Sequence, residues 1–200
     1  MKLERRRQYI PISVDSREKY EIEFPKVLPW YGGADGVRLL QVKPKRRQMP
    51  AGDYAMHMQE RKCLIERKGG VDELAKNLVG PDWDRQRRAF ARLRDATEHP
   101  ILLVDGGLPD LVRYKLASPV DTRYGGVPDI RVVIDRLMAS CVEFGMQLWL
   151  TGGTKSPQYR RHLGDLVVRL LLAYCWGPEK ISLDSDNEQC TLEHRIGDKT

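Results

Sequence analysis

The sequence has little that would suit a secreted, disulfide-bonded or membrane-spanning protein. Only four of its 200 residues are cysteines, and none forms a CxxC pair, which favours free thiols over disulfides or a zinc site. The basic N-terminus is not followed by an apolar segment, so no signal peptide is predicted. The longest apolar run, residues 166–176, is interrupted by Arg169 and is too short to cross a bilayer. We therefore expect an intracellular protein without a transmembrane segment.

Positive charge, by contrast, is in excess. The formal net charge is +6 and the sequence pI is about 9.2. A basic balance favours an anionic partner, nucleic acid ahead of a membrane, although ordinary solubility charge is an equal alternative. We expect a basic arm over residues 1–8, one domain over residues 9–176 and a flexible polar tail over residues 177–200.

Short apolar runs alternating with helical patterns predict an α/β fold with a mixed central sheet of about six strands flanked by helices. Strands are expected at residues 9–14, 37–42, 53–58, 62–67, 100–104 and 146–150. Helices are expected at residues 24–31, 71–79, 83–97, 128–144 and 156–174, with a loop over residues 105–126. Because sites in α/β sheets gather beyond the carboxyl ends of parallel strands, acids that follow these strands are candidate site residues.

The strongest functional pattern lies in residues 52–72. Two strands on either side of a polar turn predict a β-hairpin, in which Asp53 lies opposite Glu66 and Ala55 opposite Leu64. The Cβ atoms of such a pair are roughly 5 Å apart, and facing like charges are destabilising unless a cation compensates them. Lys68 falls on the same face as Glu66, about 7 Å along the strand. Two acids and a lysine on one sheet edge are typical of metal-dependent phosphodiester cleavage.

These residues resemble a family signature. Gly52-Asp53, a twelve-residue spacer, Glu66-Arg67-Lys68, three residues and Asp72 are similar to the motif of XPF-type (ERCC4-domain) structure-specific endonucleases, which are restriction-endonuclease-like. Residues 14–18, Val-Asp-Ser-Arg-Glu, resemble the first motif of the family, and the resemblance covers roughly residues 9–150. It implies hydrolysis of branched or flapped DNA during repair or recombination, with Mg²⁺ or Mn²⁺ as cofactor.

The resemblance and the hairpin together predict five catalytic residues. Asp53 and Glu66 would hold the metal ion, with Asp15 as a third ligand that binds directly or through water. Lys68 would orient the attacking water or neutralise the scissile phosphate. Arg67 lies on the other side of the strand, where it would clamp a carboxylate such as Glu18 or Asp72, or reach phosphate.

Further residues have supporting roles by the same resemblance. Asp72 is a site-supporting acid in the family, and capping of the following helix, which that role does not exclude, explains its position better than a metal role does. Arg85 matches a family arginine, but Ala89 stands where a glutamine usually follows, and Gln86 is the candidate substitute. The supporting set is Arg17, Glu18, Asp72 and Arg85. The residues expected to contact DNA are Lys43, Lys45, Arg46, Arg47 and Arg88, a solvated loop being the alternative for the first four.

The resemblance also implies a homodimer or heterodimer formed through the C-terminal helices. Val168 and Leu172 lie off the inner stripe of the last helix, which suits a second subunit, whereas a helix sunk in its own core is the alternative. The family usually carries a helix-hairpin-helix domain after the nuclease, and nothing after residue 176 is long enough for one. Alternative functions are a non-catalytic DNA-binding or partner subunit, and a nuclease with a different nucleic-acid substrate.

Overall fold

A computed structural model describes residues 8–19, 22–33, 36–114, 130–152 and 156–180 of the chain, the last three by backbone alone. The described strands are β1 (Gln8–Asp15), β2 (Val27–Gly33), β3 (Gly36–Arg47), β4 (Tyr54–Met56), β5 (Cys63–Lys68), β6 (His99–Val104) and β7 (Gln147–Leu150). The described helices are α1 (Val71–Val79), α2 (Trp83–Ala96), α3 (Leu108–Arg113), α4 (Ile130–Glu143) and α5 (Pro157–Lys180).

All seven described strands form one sheet in the order β2-β3-β1-β4-β5-β6-β7. Strand pairs β1/β3, β5/β6 and β6/β7 are parallel, whereas β2/β3, β1/β4 and β4/β5 are antiparallel. The predicted α/β class with a mixed sheet is therefore confirmed, with seven strands rather than about six.

The additional strand is β2, where the prediction of a helix over residues 24–31 was wrong. Leu28 pairs with Leu40 of β3, and both side chains are buried in the core. Pro29 would interrupt a central strand because it lacks an N–H group, but β2 lies at the edge of the sheet, where one side needs no hydrogen bonds. Tertiary pairing thus outweighs a weak local pattern.

Helices cover the two faces of the sheet unequally. Helix α5 packs on one face, against apolar side chains of β1 to β6. On the other face, α1, α2, α3 and α4 pack over the half of the sheet formed by β4 to β7. Val168 and Leu172 of α5 are fully buried within their own chain, so the pattern that suited a second subunit is explained by the core of this one.

Four other sequence predictions are revised or fall outside the described residues. The basic segment predicted as a loop is the end of β3, which runs to Arg47, and residues 108–113 form α3 inside the predicted loop over residues 105–126. The basic arm, apart from Gln8, and residues 181–200 of the predicted tail lie outside the described residues, whereas residues 177–180 of that tail belong to α5. Cys63, Cys141 and Cys175 are free. Among the described helices, none is long and apolar enough to span a membrane.

Candidate functional site

The central hairpin has the predicted register. Tyr54 pairs with Ile65 and Ala55 with Leu64, so the next position outward brings Asp53 beside Glu66. The Asp53 N–H donates to the Ile65 carbonyl at 2.7 Å, and the Asp53 carbonyl accepts from the Asp15 N–H at 2.8 Å. Asp53 is therefore fixed on both sides, at the point where β1 ends.

Gly52 makes this approach possible. Its φ of +68° lies in the left-handed region, and a Cβ there would stand 3.2 Å from the Ile65 carbonyl oxygen and 3.3 Å from Leu93 Cδ1. The glycine of the Gly52-Asp53 pair thus has a structural role in bringing Asp53 to β5.

Asp53 and Glu66 form an incompletely compensated carboxylate pair. Asp53 Oδ2 accepts the Arg67 N–H at 2.7 Å, and Oδ1 accepts no hydrogen bond from the described residues. Burial, and secondarily the charge of Glu66, raise the pKa of Asp53 to about 8, against the opposing effect of the Arg67 N–H. The pair therefore retains a proton at neutral pH unless a cation takes its place.

Lys68 supplies fixed positive charge beside this pair. Its ammonium lies 2.8 Å from Glu66 Oε1 and 3.9 Å from Glu73, and the residue is only 5% exposed. Burial lowers the pKa of Lys68, but the charge and hydrogen bond of Glu66 outweigh burial and leave that pKa above its ordinary value. Lys68 is consequently a permanent cation and not a general base.

Arg67 points to the other side of β5, as predicted, and its main partner is an acid that the sequence reasoning missed. Its Nη2 lies 2.5 Å from Asp105 Oδ2, and its Nη1 lies 3.5 Å from Glu18. Burial lowers the pKa of Arg67, but Asp105 more than reverses this effect. Because Asp105 directly follows a parallel strand, the rule about strand ends would have identified it.

Asp15 lies at the same end of the sheet but is already engaged. Both of its oxygens accept hydrogen bonds from Arg17, the shortest at 2.5 Å. Burial raises the pKa of Asp15, but the bonds and charge of Arg17 outweigh it and leave a lowered pKa. Among the described residues, no group of three or more His, Cys, Asp or Glu side chains is placed to hold a metal. A role for Asp15 as third ligand stays a prediction, and it requires Arg17 to release the carboxylate.

The remaining predicted site residues are dispersed. Asp72 stands in the first turn of α1 and accepts a hydrogen bond from the Tyr114 hydroxyl. Arg85 is exposed and pairs with Asp82 at 3.3 Å, and Arg88 lines a separate depression between α2 and α4. Position 89, where the family glutamine is expected, does face the site, but Gln86 is buried elsewhere in α2 and is no substitute.

The acids, Lys68 and three arginines border a polar cleft of about 540 Å³. It is lined by Asp15, Arg17, Glu18, Lys19, residues 50–53, residues 66–69, Glu73, Ala89 and Arg92. Of the four predicted DNA-contacting residues of β3, Arg47 is the register partner of Asp15, which lines the cleft, and Arg46, Lys45 and Lys43 lie progressively further from it along the strand. Arg46 donates to the Glu18 carbonyl at 2.9 Å, and Arg47 forms an ion pair with Glu60.

The fold is a mixed seven-stranded α/β sheet flanked by helices, with acids and a lysine gathered at the end of its central strands, which is the architecture predicted for a nuclease domain. The model of the ERCC4 domain family matches residues 14–157, and the chain therefore belongs to that family, which its motifs resemble.

Solved structures similar to the chain include XPF from Aeropyrum pernix, at 24% identity and a TM-score of 0.46, covering 80% of this chain and 64% of that one. XPF from Aeropyrum pernix in complex with DNA is similar at 25% identity and a TM-score of 0.45, with the same coverage. This chain thus spans 64% of the length of those proteins. No curated protein sequence matches it.

Proposed function

We propose that the protein is an endodeoxyribonuclease that depends on Mg²⁺ or Mn²⁺ and hydrolyses phosphodiester bonds in branched or flapped DNA during repair or recombination. The observation that supports this most directly is the pair Asp53 and Glu66, whose charge Lys68 compensates only in part. Membership of the ERCC4 domain family supports the same reaction.

The residues present fit a magnesium-type ion. Mg²⁺ is usually bound by only one or two carboxylates, and water and substrate phosphates complete its octahedron. Asp53 Oδ1 accepts no hydrogen bond from the described residues, and Glu66 uses only Oε1 on Lys68. Two carboxylates with open oxygens therefore suffice without a third protein ligand. When bound, such an ion lowers the pKa of water and stabilises negative charge on the phosphoryl oxygens.

The side chains around the pair would position it and receive the phosphate. The backbone N–H of Arg67 donates to Asp53 Oδ2, and the Arg67 guanidinium forms an ion pair with Asp105 on the opposite side of the strand. That ion pair therefore helps to orient the Asp53 carboxylate. Lys68 would neutralise the scissile phosphate without exchanging protons. Arg17 is 65% exposed, so it would bind phosphate when it leaves Asp15.

DNA would approach along β3, where Lys43, Lys45, Arg46 and Arg47 follow the strand to the cleft. Dimerisation remains part of the proposal because the family resemblance implies it. The α5 side chains that suited a second subunit, Val168 and Leu172, are buried within their own chain and do not support it. Such an enzyme would act inside the cell, wherever its DNA substrate is.

Cleavage of a substrate panel tests the proposal. Flaps, forks, Holliday junctions, plain duplex and RNA are each incubated with Mg²⁺ and with EDTA. We expect cutting of branched DNA with Mg²⁺ alone, and its loss in Asp53→Asn and Glu66→Gln. Cutting in EDTA, or undiminished cutting by both variants, would contradict the metal assignment. Absence of cutting on every substrate would favour a non-catalytic DNA-binding subunit.

A further inference from the structure

One face of the β2-β3-β1 half of the sheet carries exposed apolar and basic side chains that the described helices do not cover. The helices on this side of the sheet pack over β4 to β7. We call the uncovered surface, represented by Tyr9, Tyr31, Leu39, Lys43 and Lys45, the open face.

Strand alternation assembles the open face. Trp30 of β2 packs on the α5 side of the sheet, so the next residue, Tyr31, faces away from α5, in a segment whose pairing with β3 is irregular. On β3, Leu39, Lys43 and Lys45 are exposed, whereas Leu40 and Val42 between them are buried against α5. Tyr9 of β1 pairs with Gln41, and its ring lies 3.8 Å from the Lys43 ammonium.

The apolar members of the open face are strongly exposed. Tyr9, Leu39 and Tyr31 are 49%, 58% and 68% exposed, which is far more than a folded domain normally leaves to aromatic and aliphatic side chains grouped on one surface. Val27 and Val37 are also exposed on these strands. Such grouping indicates a surface that another molecule covers.

The open face is continuous with the cleft. Asp15 pairs with Arg47 at the cleft, and successive outward-facing positions on β3 are Lys45 and Lys43, each about 7 Å further from it. Tyr9 stands roughly 20 Å from the Asp15 end of β1 at this spacing. An extended ligand that leaves the cleft along β3 would thus contact the lysines first and the aromatic rings next.

Rings that stack on bases, together with ammonium groups that pair with phosphates, are the combination that binds single-stranded nucleic acid without regard to sequence. We propose that the open face binds the single-stranded arm of a DNA substrate whose duplex part occupies the cleft. This inference rests on the proposed nuclease function and assigns the single-stranded arm of a flapped substrate to a surface of this chain. The basic net charge of the chain and the exposed Lys43 and Lys45 suit an anionic occupant over an apolar protein partner.

Binding measured without cleavage tests the inference. Fluorescence anisotropy of a fluorescein-labelled oligothymidylate is recorded in EDTA with the full chain, next to a blunt duplex of equal length. We expect the double variant Tyr9→Ala and Tyr31→Ala to bind the single strand at least about tenfold more weakly, because each stacked base contributes about 1–3 kcal/mol. Duplex affinity should be unchanged.

Three further variants separate stacking from charge and from general exposure. Replacement of Tyr9 and Tyr31 by Phe should restore binding, because the rings remain. Lys43→Ala should reduce the slope of log K against log salt by about 0.7, the value for one phosphate on a single strand. Trp149→Ala, at the exposed opposite edge of the sheet, is the matched aromatic control and should change nothing.

The results that would overturn the inference are distinct from those that would overturn the nuclease. Unchanged single-strand affinity in the Tyr9 and Tyr31 double variant, or an equal loss for duplex, removes the open face as a single-strand site even if the enzyme cuts DNA. A halved particle mass of that variant in light scattering would show that a second copy covers the face, which also refutes the inference. If no substrate is cut but the double variant loses oligothymidylate, the nuclease proposal fails and the binding surface stands.

Discussion

Replacing Asp53 by Asn should make the metal-free protein more stable at alkaline pH while removing its metal response. The change leaves the side chain nearly the same size and keeps an oxygen that accepts the Arg67 N–H. It removes the negative charge that burial and Glu66 oppose.

The sign follows from the raised pKa. Asp53 titrates near 3.8 when unfolded and at about 8 when folded, so the folded state binds the extra proton between these values. Stability of the wild type should therefore fall as pH rises from about 4 to 8 and level off above that range. Asp53 is neutral in both the folded and the unfolded state only below about pH 4, where the two proteins should differ little. The gain in Asp53→Asn should grow from about pH 4 to about pH 8 and stay constant above that range.

The magnitude is bounded in two ways. The rise of the Asp53 pKa from 3.8 to about 8 sets a ceiling of about 6 kcal/mol, because each tenfold change in proton affinity is worth about 1.4 kcal/mol. Two charges about 5 Å apart at an effective dielectric constant of about 20 repel by roughly 3 kcal/mol, which is the estimate we adopt. For a domain of this size, it corresponds to a rise in Tm of about 6–12 °C at pH 9.

The assay is thermal unfolding followed by circular dichroism from pH 5 to pH 9 in EDTA. Asp95→Asn, an exposed acid at the end of α2, serves as the control and should follow the wild type. Added Mg²⁺ should stabilise the wild type, because it binds only the folded site, and should leave Asp53→Asn unaffected. Parallel pH profiles for wild type and Asp53→Asn in EDTA would refute the reasoning.

Three further predictions concern the support of the site. Lys68→Ala should abolish Mg²⁺-dependent cleavage, because the buried ammonium beside the carboxylates is lost. Lys62→Ala, on the exposed end of the same hairpin, is the control and should cut normally in the same single-turnover assay on a flap substrate. Asp105→Asn should lower the free energy of unfolding by about 3–5 kcal/mol, because it leaves the buried Arg67 guanidinium poorly paired. A loss under about 1 kcal/mol in urea unfolding would contradict this prediction. Gly52→Ala should cost about 1–3 kcal/mol through backbone strain and crowding of Ile65, and a Tm equal to that of the wild type would show that the turn relaxes freely.

The hairpin at the site could be predicted from the sequence because its constraints are local. Alternating side chains and a short polar turn allow few registers, and the register with Asp53 beside Glu66 also places Tyr54 and Ile65 in the core. Lys68 follows from the same alternation, and its contact with Glu66 confirms that they share a face.

What could not be predicted depends on contacts between distant segments. Asp105 meets Arg67 only because β5 and β6 lie side by side and parallel after a crossover of two helices. Asp15 was expected to be open to metal, but Arg17, two residues away, folds back onto it. The strand nature of β2 likewise depends on its pairing with β3, which local pattern could not show.

The central claim is that Asp53 and Glu66 jointly hold a divalent cation. Anomalous diffraction at the manganese edge, from crystals soaked in Mn²⁺ near pH 8, tests it most directly. We predict one strong peak within about 2.5 Å of an oxygen of each carboxylate, absent in Asp53→Asn crystals soaked identically. A wild-type cleft without a peak at these two side chains, or a peak unaffected by that substitution, would contradict the account.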